Sequence, residues 1–134
     1  MSLQKSLDLK FGTQAENDLL KNIKDTFGSD IEKIENSYSL FDYTNDEIYI
    51  ELKSRRVRHN QYPTTMVGYN KIKCCEKNPD KVYYFVFNFT DGVYYWKYKP
   101  NVFSISQGGR TDRGFREIKN YAFIPVSLLN KMCE

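Results

Sequence analysis

A chain of 134 residues is about one domain's worth of polypeptide, and 40% hydrophobic, 16% aromatic and 28% charged residues describe a folded globular protein and exclude a disordered one. No apolar run reaches the roughly 18 residues of a membrane span, and the charged opening Met1–Asp8 lacks the continuous apolar stretch of a secretory signal, so a cytosolic or nuclear, non-secreted protein is expected. The net charge of +3 hides a segregation: residues 1–52 hold 11 acids and 5 bases, residues 53–134 hold 6 acids and 15 bases. Such a chain suits an acidic cluster that takes a cation beside a basic surface that takes a polyanion; chance segregation in a Lys-rich sequence is the plainer alternative.

Thr13-Gln14-Ala15-Glu16 has capping-box spacing, and Ala15, Leu19, Ile23 and Phe27 follow at four-residue intervals, predicting a helix that Gly28 ends. A strand is expected through Tyr38–Phe41, ending near Asp42, with a turn at Thr44-Asn45-Asp46. The next strand, Glu47 to Lys53, alternates: Ile48, Ile50 and Leu52 share one face, and Glu47, Tyr49, Glu51 and Lys53 share the other. A two-residue hairpin at Asn45-Asp46 sets Asp42 opposite Tyr49, on the face of Glu51; a four-residue loop keeps that parity and a three-residue loop reverses it.

Pro63-Thr64-Thr65 reads as a helix start carried through Lys73 to about Cys75, although Gly68 weakens it. The aromatic, β-branched runs Lys81–Phe89 and Val93–Lys99 are joined by Thr90-Asp91-Gly92, a hairpin signal, and the first is apolar on both faces as in a central strand. Ser104–Gly114 reads as a mobile loop, Tyr121–Ile124 as a last strand, and Pro125 to Lys131 as a closing helix. Cys74 and Cys75 are adjacent and Cys133 stands apart, which fits neither a disulfide framework nor paired zinc spacing, so reduced, structural thiols are expected. One α/β domain over residues 1–134 accounts for the pattern: a mixed, mainly antiparallel sheet flanked by helices.

Asp42, Glu51 and Lys53 carry the most chemistry. Two carboxylates converging with a lysine on one sheet face suit a hard divalent cation such as Mg²⁺, which takes oxygen ligands, keeps several waters and needs one or two protein carboxylates. An ordinary cross-strand ion pair on a solvated face is the competing explanation of Glu51 and Lys53, worth under about 1 kcal/mol. Asp42, eight intervening residues, then Glu51-Leu52-Lys53 resembles the PD-(D/E)XK nuclease motif of restriction-endonuclease-like folds, and the order of helix, strands and helix over residues 13–89 is similar to theirs. Phe41 stands where that family commonly has Pro.

The resemblance implies that Asp42, Glu51 and the Leu52 carbonyl ligate Mg²⁺, with Mn²⁺ as a substitute, while Lys53 positions the water that hydrolyses a DNA phosphodiester. It also implies that Glu16 is the acid that family members place in the first helix beside the metal; closing the capping box onto Thr13 is its other, non-exclusive role. Lys71, with Gln61 as a rival, matches a Lys or Gln that the family carries near the site.

The basic stretch after the motif, Arg55, Arg56 and Arg58, can hold backbone phosphates, or can be a solvated loop. Arg110, Arg113, Arg116 and Lys119, three residues apart, form a second expected clamp. His59 reads as a surface or phosphate-contacting residue, because no Cys, Ser or Asp partner stands at a recognisable spacing. The aromatic runs at Tyr83–Phe85 and Tyr94–Trp96 read as core in preference to a base-stacking platform. The expectation is an endonuclease of low sequence specificity or structure selectivity, with DNA as partner and a homodimer as the natural way to address two strands; the alternative is a nucleic-acid-binding module on the same fold that does not cleave.

Overall fold

The computed structural model describes residues 18–36, 38–110 and 117–132. The chain divides into two compact units, residues 1–32 with 133–134, and residues 33–132. In the first, residues 18–27 are helical (α1), with Leu19 and Ile23 buried on the expected stripe. Gly28 ends the helix at φ +146°, its N–H donating to the Lys24 carbonyl at 3.0 Å. The proposed cap at Thr13 and Glu16 itself lie outside the described residues. Among the described residues, no helix is long and apolar enough to cross a membrane.

The strands are β1 (Glu32–Lys33), β2 (Tyr43–Thr44), β3 (Ile48–Ser54), β4 (Thr64–Gly68), β5 (Val82–Phe89), β6 (Gly92–Lys97), β7 (Ser104–Arg110), β8 (Glu117–Pro125) and β9 (Asn130–Lys131), with helix α2 at Tyr69–Lys77. They form two sheets, ordered β1-β2-β3-β5-β6-β9 and β4-β8-β7. This is the expected α/β class, mixed and mainly antiparallel, consistent with a restriction-endonuclease-like fold. Strand β3 pairs with β5 in parallel, Ile48 opposite Val82 through Ser54 opposite Asn88. A parallel pair cannot be closed by a tight turn, so β4 and α2 occupy the crossover.

Side chains alternate, so Tyr49, Glu51 and Lys53 lie on the same face as their β5 partners Tyr83, Phe85 and Phe87. Those three aromatics are at most 3% exposed and pack with Phe41, Val67, Ile72, Cys75 and Ile124. The aromatic runs are therefore core, as expected: Tyr49 stacks on Tyr83 at 5.7 Å and Phe85 meets Trp96 at 5.5 Å. The β5–β6 hairpin also forms as expected, Phe89 pairing with Gly92, which takes φ +151°.

Four expected elements differ. Thr64 to Gly68 is a strand, not the start of a Pro63-led helix: Thr65 and Val67 alternate into the core, and the β-branched residues suit the pleat better than a helix. Gly68 is the N-cap of α2. Ser104–Arg110 is strand β7 rather than loop, paired with β8 from Ser104–Phe123 to Arg110–Glu117; a Cβ at Gly108 would stand 3.2 Å from the Tyr121 ring, so glycine there permits close approach. Strand β8 runs to Pro125 and a 3-10 turn at Val126–Leu128 replaces the closing helix. The strand expected at Tyr38–Phe41 is displaced past Asp42 to β2, and Tyr38 is 91% exposed.

On α2, Cys75 is buried while Cys74 is half-buried, and burial pushes the Cys75 thiol up to about 12. A thiol reagent near neutral pH should thus label Cys74 well before Cys75 in the folded protein, as read by mass spectrometry of the α2 peptide. Equal labelling would mean that α2 does not hold Cys75 in the core.

Candidate active site

The β2–β3 connection is built by Asn45. Its side-chain Oδ1 accepts the N–H groups of Glu47 and Ile48, each at 2.8 Å, while its own N–H donates to the Ile48 carbonyl at 3.1 Å. Tyr43 then pairs with Ile50 and Thr44 with Tyr49, leaving four residues between Thr44 and Tyr49. The two-residue loop expected at Asn45-Asp46 is thus replaced by the longer one of the same parity, and the register shifts by two, because the asparagine side chain stands in for ladder bonds. Asp42 does not face Tyr49. Its N–H donates to the Ile50 carbonyl at 2.9 Å, so Asp42 and Tyr43 together oppose Ile50, the two-against-one pattern of a bulge, which re-aims a side chain.

That side chain lands on the motif. Asp42 Oδ2 accepts the Leu52 N–H at 2.8 Å, between Glu51 and Lys53 in the chain. The reason is directional. Val82 donates to the Glu47 carbonyl and Arg55 donates to the Asn88 carbonyl, so odd-numbered residues of β3 spend their backbone groups on β5. Leu52, an even residue, turns its N–H and C=O towards β2, which has ended at Tyr43. The Asp42 carboxylate takes the N–H, and the Leu52 carbonyl lies on the same edge.

Glu51 is only 3% exposed, which rules out the solvated-face explanation. Its Oε1 is 3.1 Å from Lys53 Nζ, and its Oε2 is 2.7 Å from Lys71 Nζ. Lys71, in the first turn of α2, also donates to the Leu40 carbonyl at 2.8 Å, two residues before Asp42. A carboxylate in such a place requires neutralisation, and two ammonium groups supply it. Arg55 adds a third positive charge nearby: it is largely buried, its Nη2 donates to the Met66 carbonyl at 2.7 Å, and burial lowers its ordinary value while the proximity of Glu51 counters the shift. The sequence places Arg55 among the phosphate-binding residues; in the fold its Nη2 is bonded to the backbone of β4.

Of the other basic residues, Arg56 is exposed and Arg58 is 71% exposed, 3.9 Å from Asp91. Arg110 ends β7 opposite Glu117, and Lys119 is exposed on β8; Arg113 and Arg116 lie outside the described residues. Asp91 is a partner of His59 that sequence reading misses. His59 Nδ1 is 2.6 Å from Asp91 Oδ2, the His59 N–H donates to Oδ1 at 2.8 Å, and the imidazole stacks on Tyr94 at 4.3 Å. The 32-residue separation hides the pair, and Asp91 carries an obvious turn role that leaves nothing else to explain.

Among the described residues, no three His, Cys, Asp or Glu side chains gather as a metal-binding group. The donors at the motif are instead two carboxylates and one edge carbonyl, all hard oxygens, which fits a divalent cation that retains most of its water. A family model described as "Phage putative PDDEXK endonuclease" matches residues 10–132. The chain belongs to this family. It is therefore a member of the PD-(D/E)XK nuclease superfamily, and the resemblance seen at Asp42 and Glu51-Leu52-Lys53 extends to nearly the whole chain. No curated protein and no solved structure matches the chain.

Two outcomes follow for this PD-(D/E)XK protein. Lys71→Ala should lower stability by about 1.5–3 kcal/mol in urea unfolding, because a charged hydrogen bond to a buried carboxylate is lost, whereas Lys53→Ala should cost under about 1 kcal/mol, since that ammonium is a third exposed. Asp91 is held below its ordinary value of 3.8, first by the His59 side-chain hydrogen bond. A depressed folded value means that the Asp91–His59 tie is at full strength above the ordinary carboxylate range and is lost only as pH falls through the lower folded value. An NMR titration of the Asp91 carboxyl should show a midpoint below 3.8 that rises in His59→Ala, where the side-chain bond is lost and the backbone N–H of residue 59 still donates to Oδ1.

Proposed function

We propose that this nuclease is a metal-dependent endonuclease of DNA in which Asp42, Glu51 and the Leu52 carbonyl hold Mg²⁺, or Mn²⁺ in its place, and Lys53 positions the attacking water. The observation that carries this reading is the buried Glu51 carboxylate set between Lys53 and Lys71, with the Asp42 carboxylate docked on the amide of the next residue. A structural ion pair accounts for Glu51 with its lysines alone, whereas a shared oxygen site also uses the Asp42 carboxylate that the Leu52 amide holds at the motif.

When bound, the cation supplies charge neutralisation at the scissile phosphate and acidifies a coordinated water. The chain's own residues do the rest. Each oxygen of Glu51 contacts one ammonium group and keeps a lone pair for a ligand, and of the two ammonium groups Lys53 is the freer to move, 34% exposed against 16% for Lys71. Swinging off Glu51, its Nζ can hold a water or a phosphate oxygen in line with the reacting phosphorus. Lys71 stays bonded to the Leu40 carbonyl and keeps Glu51 oriented. Exposed Arg56, Arg58 and Lys119 then engage backbone phosphates, giving affinity without base readout, which supports low sequence specificity. The resemblance to PD-(D/E)XK nucleases supports DNA as substrate over RNA.

Supercoiled plasmid and branched DNA should be nicked by wild type with Mg²⁺ or Mn²⁺ and left intact with chelator. Glu51→Ala and Lys53→Ala should each lower the rate by about 100-fold or more. Cleavage that persists in both variants removes the site assignment; DNA that is bound with steep salt dependence yet never cut favours the non-cleaving binding module.

A further inference from the structure

A cleft of about 420 Å³ opens immediately beyond the motif strand, and nothing in the hydrolytic assignment uses it. Val57, Met66, Phe89 and Phe123 give it an apolar floor; Tyr62, 57% exposed, and Arg58 stand on its rim. The volume falls within the roughly 300–1,000 Å³ typical of small-molecule sites. The combination of an apolar slot, an aromatic face open to solvent and an exposed guanidinium is what a heteroaromatic ring next to a phosphate requires: a π-face to stack on, walls that exclude water, and a cation for the charge that travels with the ring.

The position sharpens the choice of ligand. Arg55 lines the cleft and lies two residues after Lys53, a strand distance of about 7 Å, which one extended nucleotide step covers. Segment 55–62, between β3 and β4, forms one wall. It is pinned by Thr90 donating to the Val57 carbonyl, by Arg55 on Met66, and by the His59–Asp91 pair. Tying an irregular basic segment at three points costs conformational freedom, and its effect is to fix residues 55–59 along the cleft, with exposed Tyr62 following them.

We propose that this cleft receives one unpaired nucleobase of the strand being cut, adjacent to the scissile phosphate, so that the enzyme acts on single-stranded, frayed or branched DNA in preference to intact duplex. The inference rests on the nuclease reading and names its substrate class. A paired base cannot enter, because both its faces are stacked and its edge is engaged; a base already unpaired enters without that penalty.

Two measurements separate this proposal from the reading beneath it. Binding alone is followed with chelator present, using a single-stranded oligonucleotide carrying 2-aminopurine: wild type should quench its fluorescence on stacking, Tyr62→Ala should bind about 5- to 150-fold more weakly, and Tyr62→Phe should restore binding. Cleavage is then compared on a splayed-arm substrate and on a blunt duplex of the same sequence with Mg²⁺. Wild type should favour the splayed arm, and Tyr62→Ala should lose that preference while still cutting duplex. Tyr62→Ala that matches wild type in both assays overturns the cleft assignment and leaves the nuclease intact. Loss of duplex cutting in Glu51→Ala with unchanged quenching keeps the two claims apart, while absence of quenching in wild type overturns the cleft. Thr64→Trp, which fills the cleft from a rim position, should reproduce the Tyr62→Ala result; wild-type behaviour there would likewise overturn it.

Discussion

Burying the Glu51 carboxylate constrains everything around it. On a face shared with Tyr49 and opposite Phe85, an unpaired carboxylate would cost several kcal/mol, and breaking an established pair at such a place is more damaging than never having it. The fold meets the cost with ammonium groups from two directions, Lys53 from the same strand and Lys71 from α2. Lys71 in turn fixes the Leu40 carbonyl, and so ties the segment that delivers Asp42 to the helix that holds Glu51. One buried charge thereby orients a strand, a helix and the approach to a second carboxylate.

The parallel pairing of β3 with β5 makes this arrangement available. Because such a pair needs a long crossover, β4 and α2 come between the two strands in sequence, and α2 places Ile72 and Cys75 in the core and Lys71 at the carboxylate. The same crossover begins with segment 55–62, which lies outside any regular element. An aromatic core thus holds the motif residues, while a pinned irregular segment carries the exposed arginines and the Tyr62 ring. Function is commonly divided between scaffold and loop in this way, and here the division falls within three residues of Lys53.

The short β2 has a chemical purpose that its length conceals. A longer partner strand would satisfy the Leu52 backbone with ladder bonds. With two residues and a bulge, β2 leaves that edge to the Asp42 side chain, whose carboxylate is brought to the motif by the same hydrogen bond that satisfies the amide. A truncated ladder beside paired acids makes an oxygen-rich edge without opening the core.

By itself the sequence determined the local matters. Alternation in Glu47–Lys53 set which residues share the face of Glu51, the four-residue interval through Ile23 and Phe27 with Gly28 behind it marked the first helix, and the β5–β6 hairpin was written in Thr90-Asp91-Gly92. These depend on bond geometry and on neighbours a few residues apart, so they are legible in one dimension. The motif spacing pointed to the family on the same grounds. Tertiary structure decided what depends on distant partners. Thr64–Gly68 became a strand because β8 was there to pair with it, Ser104–Arg110 became β7 for the same reason, and Arg55 turned inward because Met66 offered a carbonyl. Pairing energy and the satisfaction of buried polar groups override weak local propensity, and neither is encoded at any single position of the chain.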